Sequence, residues 1–422
     1  MPEPRFRVLI VAAHPVQYAS ANFRQMARHS RFDLLVAYCS LRGAEPGIDP
    51  EFGRTVQWDV PLLDGYTWVR VPNRGSGGES FWGLWNPGLW KIVRSGYFDA
   101  LICLTSYKRA SFWISYIAAR TRGIPFIFGT DASTVEPREH RPWKLFVKRF
   151  AWPLLFRLAS QVIVVSTPGR DMMQSLGISP DRIALLHNTV DNDWWHSASD
   201  AVDRFAVRAS WGIAADEKVI VFCAKLQPWK RPTDLLRAFA KAAIPHSSLM
   251  IVGEGPQRAQ LEAEATSLGL GNLVRFLGFV NQSQLPAIYT SADLMVLPSE
   301  YEPFAMVVNE AMLCGCPVVV SDRVGAARDL VAPVSPDFIF PHHDVEALAS
   351  TLRRALSDRT RLESLRHLAR ARMETWSPRE NVAAALAAIE RAQAFKRNSP
   401  RGPLVESSVR GAASNGARQI SE

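Results

Sequence analysis

Five cysteines among 422 residues are too few, and odd in number, for a disulfide framework. Cys39, Cys103 and Cys223 sit in apolar strand-like runs, while Cys314 and Cys316 flank Gly315 with no second Cys or His pair nearby. That pattern suits small buried side chains in a reducing compartment, and no metal site is expected. Nowhere do 18 apolar residues run together without a charge, which excludes a membrane-spanning helix. Residues 1–5 lead straight into Val8-Leu9-Ile10-Val11 without the layout of a signal peptide, so a cytoplasmic chain is expected. Acidic residues are in deficit, 40 against 49 basic ones, for a formal charge of +9. Five of those cations, against two acids, fall in the Ser/Gly/Pro/Ala-rich stretch 396–422, which reads as a disordered tail. No nucleic-acid motif of defined spacing accompanies the rest, so nucleic acid is not expected as a partner. The remaining excess suits an anionic substrate or lipid.

What is present points to an α/β protein of two domains. The length exceeds one comfortable core, and a 47% hydrophobic content is ordinary for a globular chain. Short β-branched or aromatic runs at 7–13, 32–39, 100–105, 126–130, 162–166 and 183–186 alternate with helical stretches such as 23–28 and 112–120. Residues 41–98, rich in Gly, Pro and aromatics, read as long loops with short helices. The second half repeats the alternation, with strands at 218–224, 249–252, 274–277, 294–297 and 318–320. Its helices are expected at 232–243, 257–268, 309–314 and 345–358. The spacing predicts two Rossmann-like domains, 1–195 and 196–377, facing across a cleft, with the junction near 191–200. A last helical run at 378–395 is a candidate to cross back onto the first domain.

The sharpest segment follows the apolar run Leu294-Met295-Val296-Leu297. Residues 298–312 read Pro-Ser-Glu-Tyr-Glu-Pro-Phe-Ala-Met-Val-Val-Asn-Glu-Ala-Met, a strand–loop–helix corner. Glu302 and Glu310 lie eight residues apart. On one helix that is about 12 Å and two turns, on the same face. A carboxylate pair serving one small reacting centre needs roughly 5 to 9.5 Å. The longer spacing suits two hydroxyl-rich sugars separated by a diphosphate, which the helix start at Phe304, Ala305, Met306 and Val307 could hold. The bland reading makes both glutamates the decoration of an exposed helix. A cationic segment, Lys225-Leu226-Gln227-Pro228-Trp229-Lys230-Arg231, ends another strand. Lys225 and Lys230 could stabilise the charge that a nucleotide diphosphate gains on leaving a sugar. Arg231 reads as a bystander. Gly253 and Gly255 mark a strand-to-helix corner that permits close backbone approach, and Phe279 follows a strand end where a nucleobase could sit.

Together these residues resemble the retaining glycosyltransferases of family 4, which have the two-domain GT-B fold. The likeness rests on Lys225 with Lys230, 252–256, 278–280, Ser291-Ala292-Asp293, and Glu302 through Glu310 followed by Gly315-Cys316-Pro317-Val318. Asn188-Thr189-Val190-Asp191 resembles the interdomain Asn-Gly-Val-Asp signature. The resemblance implies a UDP- or GDP-sugar donor, with Glu302 on the transferred sugar and Glu310 on the nucleotide ribose. It also implies retention of anomeric configuration without a required metal. Three positions depart from the family pattern: Lys225 where Arg is usual, Ala305 where Gly often follows Phe, and Thr189 for Gly. Rival readings are a sugar-nucleotide epimerase or phosphorylase of the same architecture, and a non-catalytic nucleotide-sugar-binding protein.

In the first half, His14 and Asp131 each follow a strand end and are candidates to orient an acceptor. A structural histidine and a helix cap are their rival roles. Ten of the thirteen tryptophans precede residue 196, and none is singled out. From 143 to 158, Trp143, Phe146, Val147, Phe150, Leu154, Leu155 and Leu158 recur at helical spacing beside Lys144, Lys148, Arg149 and Arg157. Such a helix either docks on its own domain or lies on anionic membrane lipid. The second option would suit a lipid-linked sugar acceptor; another glycan acceptor fits the first.

Overall fold

Each β-branched run pairs in parallel with its neighbours, and the chain builds two separate sheets. The computed structural model describes residues 4–49, 54–136 and 142–398. The first half supplies β1 (Phe6–Ala12), β2 (Phe32–Tyr38), a small antiparallel pair β3 (Gly47–Asp49) and β4 (Arg54–Val56), β5 (Thr67–Arg70), β6 (Ala100–Cys103), β7 (Phe126–Thr130), β8 (Gln161–Val164) and β9 (Ile183–Leu185). Seven of these form one sheet in the order β5-β2-β1-β6-β7-β8-β9. The second half supplies β10 (Lys218–Cys223), β11 (Ser247–Val252), β12 (Val274–Gly278), β13 (Leu294–Leu297), β14 (Val318–Ser321) and β15 (Ile339–Phe340), ordered β12-β11-β10-β13-β14-β15. Both are doubly wound parallel sheets, the GT-B layout.

Strand order reverses beside β1 in the first sheet and beside β10 in the second. At such a reversal the loops leaving adjacent strands diverge and open a crevice at the carboxyl ends. In the second sheet those loops follow β10 and β13, the segments that carry Lys225–Lys230 and Glu302.

One hydrophobic core surrounds the second sheet; two more cover the faces of the first. The core on one face of the first sheet is completed from the far end of the chain. Val382, Ala385, Leu386, Ala388, Ile389 and Ala392 of the helix Pro378–Asn398 pack there with Val8, Phe23 and Ile127. The chain therefore crosses between the two units twice, at 188–191 and at 376–378. Val190 and Trp195 already belong to the core of the second unit, so its packing begins before residue 196. The two crossings are tied by one polar knot. Asn381 accepts from the His187 backbone N–H at 2.7 Å and donates to the His187 carbonyl at 2.8 Å and to Asn22 at 2.7 Å. Thr189 is fully buried and donates to Asn22 at 3.2 Å. Its hydroxyl accounts for the departure from glycine at that position.

The structure differs from expectation at several elements. β5 forms an edge strand within the stretch read as loops, and the helix Arg359–Glu374 was not anticipated. Of the tail expected at 396–422, residues from 399 onward lie outside the described residues. Among the described residues no helix is long and apolar enough to cross a membrane. All five cysteines are buried free thiols.

Candidate active site

The loop after β10 makes a short 3₁₀ turn, Pro228–Lys230, and the Glu300 N–H donates to the Trp229 carbonyl at 2.9 Å. That backbone tie brings the loop after β13 alongside and sets Lys230 against Glu302, with which it forms an ion pair. The Ser299 hydroxyl donates to the same Glu302 oxygen at 3.4 Å. Arg231, in the left-handed region at φ 55°, turns away and grips Asp234 through two hydrogen bonds of 2.8 and 3.1 Å. Its role is to fix the start of the helix Pro232–Ala242.

Glu302 is not helical. The helix begins only at Met306, because Glu302 bridges Val324 and Phe304 accepts from the Ala326 N–H at 2.9 Å. The loop lies so close to this segment that a Cβ on Gly325 would stand 2.0 Å from the Pro303 carbonyl oxygen. The shared helical face expected for Glu302 and Glu310 is thus replaced by a loop carboxylate and a helical one, both lining one cleft. Ala305 makes the turn into the helix at φ 84°, a conformation natural to glycine.

Glu310 is enclosed on the helix Met306–Leu313, accepting from the Tyr289 hydroxyl at 3.1 Å. Burial pushes its carboxyl up to about 7; the Tyr289 hydrogen bond opposes the shift without cancelling it. The neighbouring Asn309 donates to the Asn188 carbonyl at 2.9 Å, joining this helix to the interdomain crossing.

These groups line a cleft of about 530 Å³ between the two units. Lys225, Lys230, Glu302, Glu310, Gly253, Phe279, Phe304, Ala305, Met306 and Val307 come from the second unit, and Asp131 comes from the first. His14 lines an adjoining cavity of about 610 Å³, which shares Asp131, Tyr18 and Tyr301 with the cleft. Gly255 lines neither. A Cβ there would stand 2.6 Å from the Leu226 carbonyl oxygen, and one on Gly253 would stand 1.9 Å from that of Ala224. Both glycines let β11 pass beneath the Lys225 loop; only Gly253 also reaches the cleft. Asp131 sits in a loop eleven residues ahead of the helix Pro142–Arg157, too far to cap it. Asp293, in the Ser-Ala-Asp motif, is structural: it accepts from the Val219 N–H at 2.7 Å and from buried Arg208 at 2.6 Å.

Sequence reasoning missed two aromatic features. Trp58 of the first unit faces Phe279 across the cleft, ring centroids 6.3 Å apart. Trp376 stacks between His187 and Phe304, at 3.7 and 5.8 Å, and donates to the Asn188 carbonyl at 2.8 Å. Planarity at that crossing leaves no periodic signal in sequence.

Two family models match the chain: Glycosyltransferase Family 4 over residues 42–194 and Glycosyl transferases group 1 over residues 203–372. A D-inositol 3-phosphate glycosyltransferase of Mycolicibacterium smegmatis is 32% identical over 244 residues, 56% of this chain and 54% of its own length. A 2-deoxystreptamine glucosyltransferase of Streptomyces kanamyceticus is 29% identical over 255 residues, 57% and 64% of the two chains. The chain spans about half the length of the curated relatives it matches. Among solved structures, Anabaena HepE in complex with UDP and glucose superposes with a TM-score of 0.68 at 21% identity, over 91% of this chain and all of that one. With the Glycosyltransferase Family 4 model on the first unit and the group 1 model on the unit that carries both glutamates, the chain belongs to the family 4 glycosyltransferases of GT-B fold.

Proposed function

We propose that this chain is a retaining glycosyltransferase that moves a sugar from a UDP- or GDP-sugar to an acceptor hydroxyl in glycoconjugate synthesis on the cytoplasmic side of a membrane. One observation carries the reading: Lys225, Lys230, Glu302 and Glu310 line a single cleft at the switch point of the second sheet. Glu310 holds the ribose and Phe279 approaches the base, while the helix start at Phe304–Val307 and the two lysines take the diphosphate. Glu302 then receives the transferred sugar at the opposite end. A departing diphosphate gains negative charge; fixed cations in a narrow cleft stabilise it without a required metal. The acceptor, a glycan or lipid-linked sugar, enters from the side of Asp131 and His14 and reaches the donor on the face the diphosphate leaves. The leaving diphosphate itself accepts the proton. The Anabaena structure with UDP and glucose supports the donor class.

A panel of UDP- and GDP-sugars with candidate acceptors, read by the mass of the product and by NMR of its anomeric centre and of the remaining donor, tests the proposal. Transfer of one hexose mass with retained configuration, undiminished by EDTA, is the expected result. Conversion of donor with no acceptor present would instead identify an epimerase. Donor binding without turnover on any acceptor would identify a binding protein.

A further inference from the structure

The helix Pro142–Arg157 turns its apolar stripe outward. Trp143, Phe146, Phe150 and Leu154 are 60%, 66%, 62% and 66% exposed, whereas the side packed on the first unit is formed by Trp152 and Phe156, joined from the stripe by Leu155. Docking on its own domain therefore uses a different face from the one whose spacing is so regular. The 16-residue helix contains no acidic residue, and Arg149 and Arg157 are exposed beside the stripe. The first unit carries a second exposed aromatic group. Phe81, Trp82 and Trp85 meet edge to face at 5.0 and 5.7 Å, with Trp82 60% exposed. Neighbours of both groups line the 610 Å³ cavity: Gly78, Glu79 and Leu84 beside the aromatic corner, and Lys148 and Trp152 on the helix.

We propose that the outward face of this helix, with the 81–85 corner, is a docking surface for an anionic lipid bilayer, and that docking sets the cavity of the first unit beside the lipid headgroups. Aromatic and leucine side chains flanked by arginines match the boundary between headgroups and acyl chains. Arginine beside an anionic leaflet gains Coulomb attraction as well as apolar burial. A second copy of the chain fits poorly, because a symmetric contact sets the helix face against itself, and that helix carries cations and no acid to pair them. The surface is read independently of the transfer reaction.

The full chain is mixed with vesicles of phosphatidylcholine alone or with phosphatidylglycerol added, sedimented at low salt, and compared with Phe150→Glu/Leu154→Glu and with Arg149→Gln. At least tenfold stronger binding to the anionic vesicles is expected, weakened by 0.5 M salt. The double variant should lose that binding with an unchanged melting temperature, and Arg149→Gln should weaken it. Equal or absent binding to both vesicle types overturns the proposal. So does a wild-type dimer in solution that the same double substitution dissociates. No sugar donor enters the assay, so its failure leaves the transferase reading untouched.

Discussion

Lys230 and Glu302 neutralise each other inside the cleft, the cation proposed for the diphosphate gripping the carboxylate proposed for the sugar. Each keeps the other from standing as an unpaired, largely buried charge. A donor must part them or bind across both.

Lys230→Ala is accordingly expected to lower kcat about 10²–10³-fold at saturating donor, about 2.7–4 kcal/mol of transition-state stabilisation. Glu302→Gln should also lower kcat. Because the two side chains touch, the double variant should fall well short of the product of the single losses. An undiminished kcat in Lys230→Ala, or strictly multiplicative losses, removes the pair from the chemistry.

Glu310 should make the stability of the protein sensitive to pH. Burial raises its carboxyl from 4.5 to about 7, so over that interval the folded chain retains a proton that the unfolded chain has released. The contribution to stability is full below 4.5 and is lost as pH rises through 7, a swing on the order of 3 kcal/mol. Glu310→Gln should flatten this part of the profile. Melting temperatures of the two proteins between pH 5 and 8 provide the comparison; parallel profiles would contradict it. Ribose hydroxyls donate more strongly to a carboxylate than to its acid. Calorimetry should therefore find UDP binding tightening from pH 6 to 8 more in the wild type than in Glu310→Gln.

Ala305 holds a positive φ of 84° at the turn into the helix Met306–Leu313. A side chain there costs roughly 1–2 kcal/mol that glycine avoids, offset in part by glycine's greater chain entropy. Ala305→Gly should raise the melting temperature or leave it level, while Ala305→Val should lower it clearly. A marked loss of stability in the glycine variant would mean that the methyl contributes packing worth more than the strain.

Asn381 joins the two crossings through His187, Asn22 and Thr189. Asn381→Ala strands the His187 backbone at the first crossing and takes a partner from Asn22 and Thr189, at a cost of roughly 2–4 kcal/mol. Urea unfolding measures this. A midpoint equal to the wild type's would mean that water or a neighbour takes over the knot.

Much of the second sheet was legible in sequence because its strands are buried on both faces and read as unbroken runs such as Val318-Val319-Val320. β5 was not, since Thr67-Trp68-Val69-Arg70 is an exposed edge with no apolar run to mark it. The members of the candidate cleft could be named from motif spacing, yet the reason they meet could not. Glu302 reaches the cleft through a bridge to Val324 rather than through helical phase, a contact 22 residues distant that local pattern does not encode. Gly253 and Gly255 looked alike, and only the passage of a neighbouring loop separates the one that reaches the cavity from the one that serves packing alone. The stripe from Trp143 to Leu158 announced a helix, but periodicity cannot say which of two apolar faces points inward.

The returning helix at the carboxyl end has a consequence for biosynthesis. One wall of the amino-terminal unit is built from Val382 through Ala392, so the chain must leave the ribosome as far as Ala392 before that wall can close. The carboxyl-terminal sheet, whose core runs from Val190 to Trp376, has all its own parts earlier. During translation the first-made half waits with greasy surface uncovered, and it matures last.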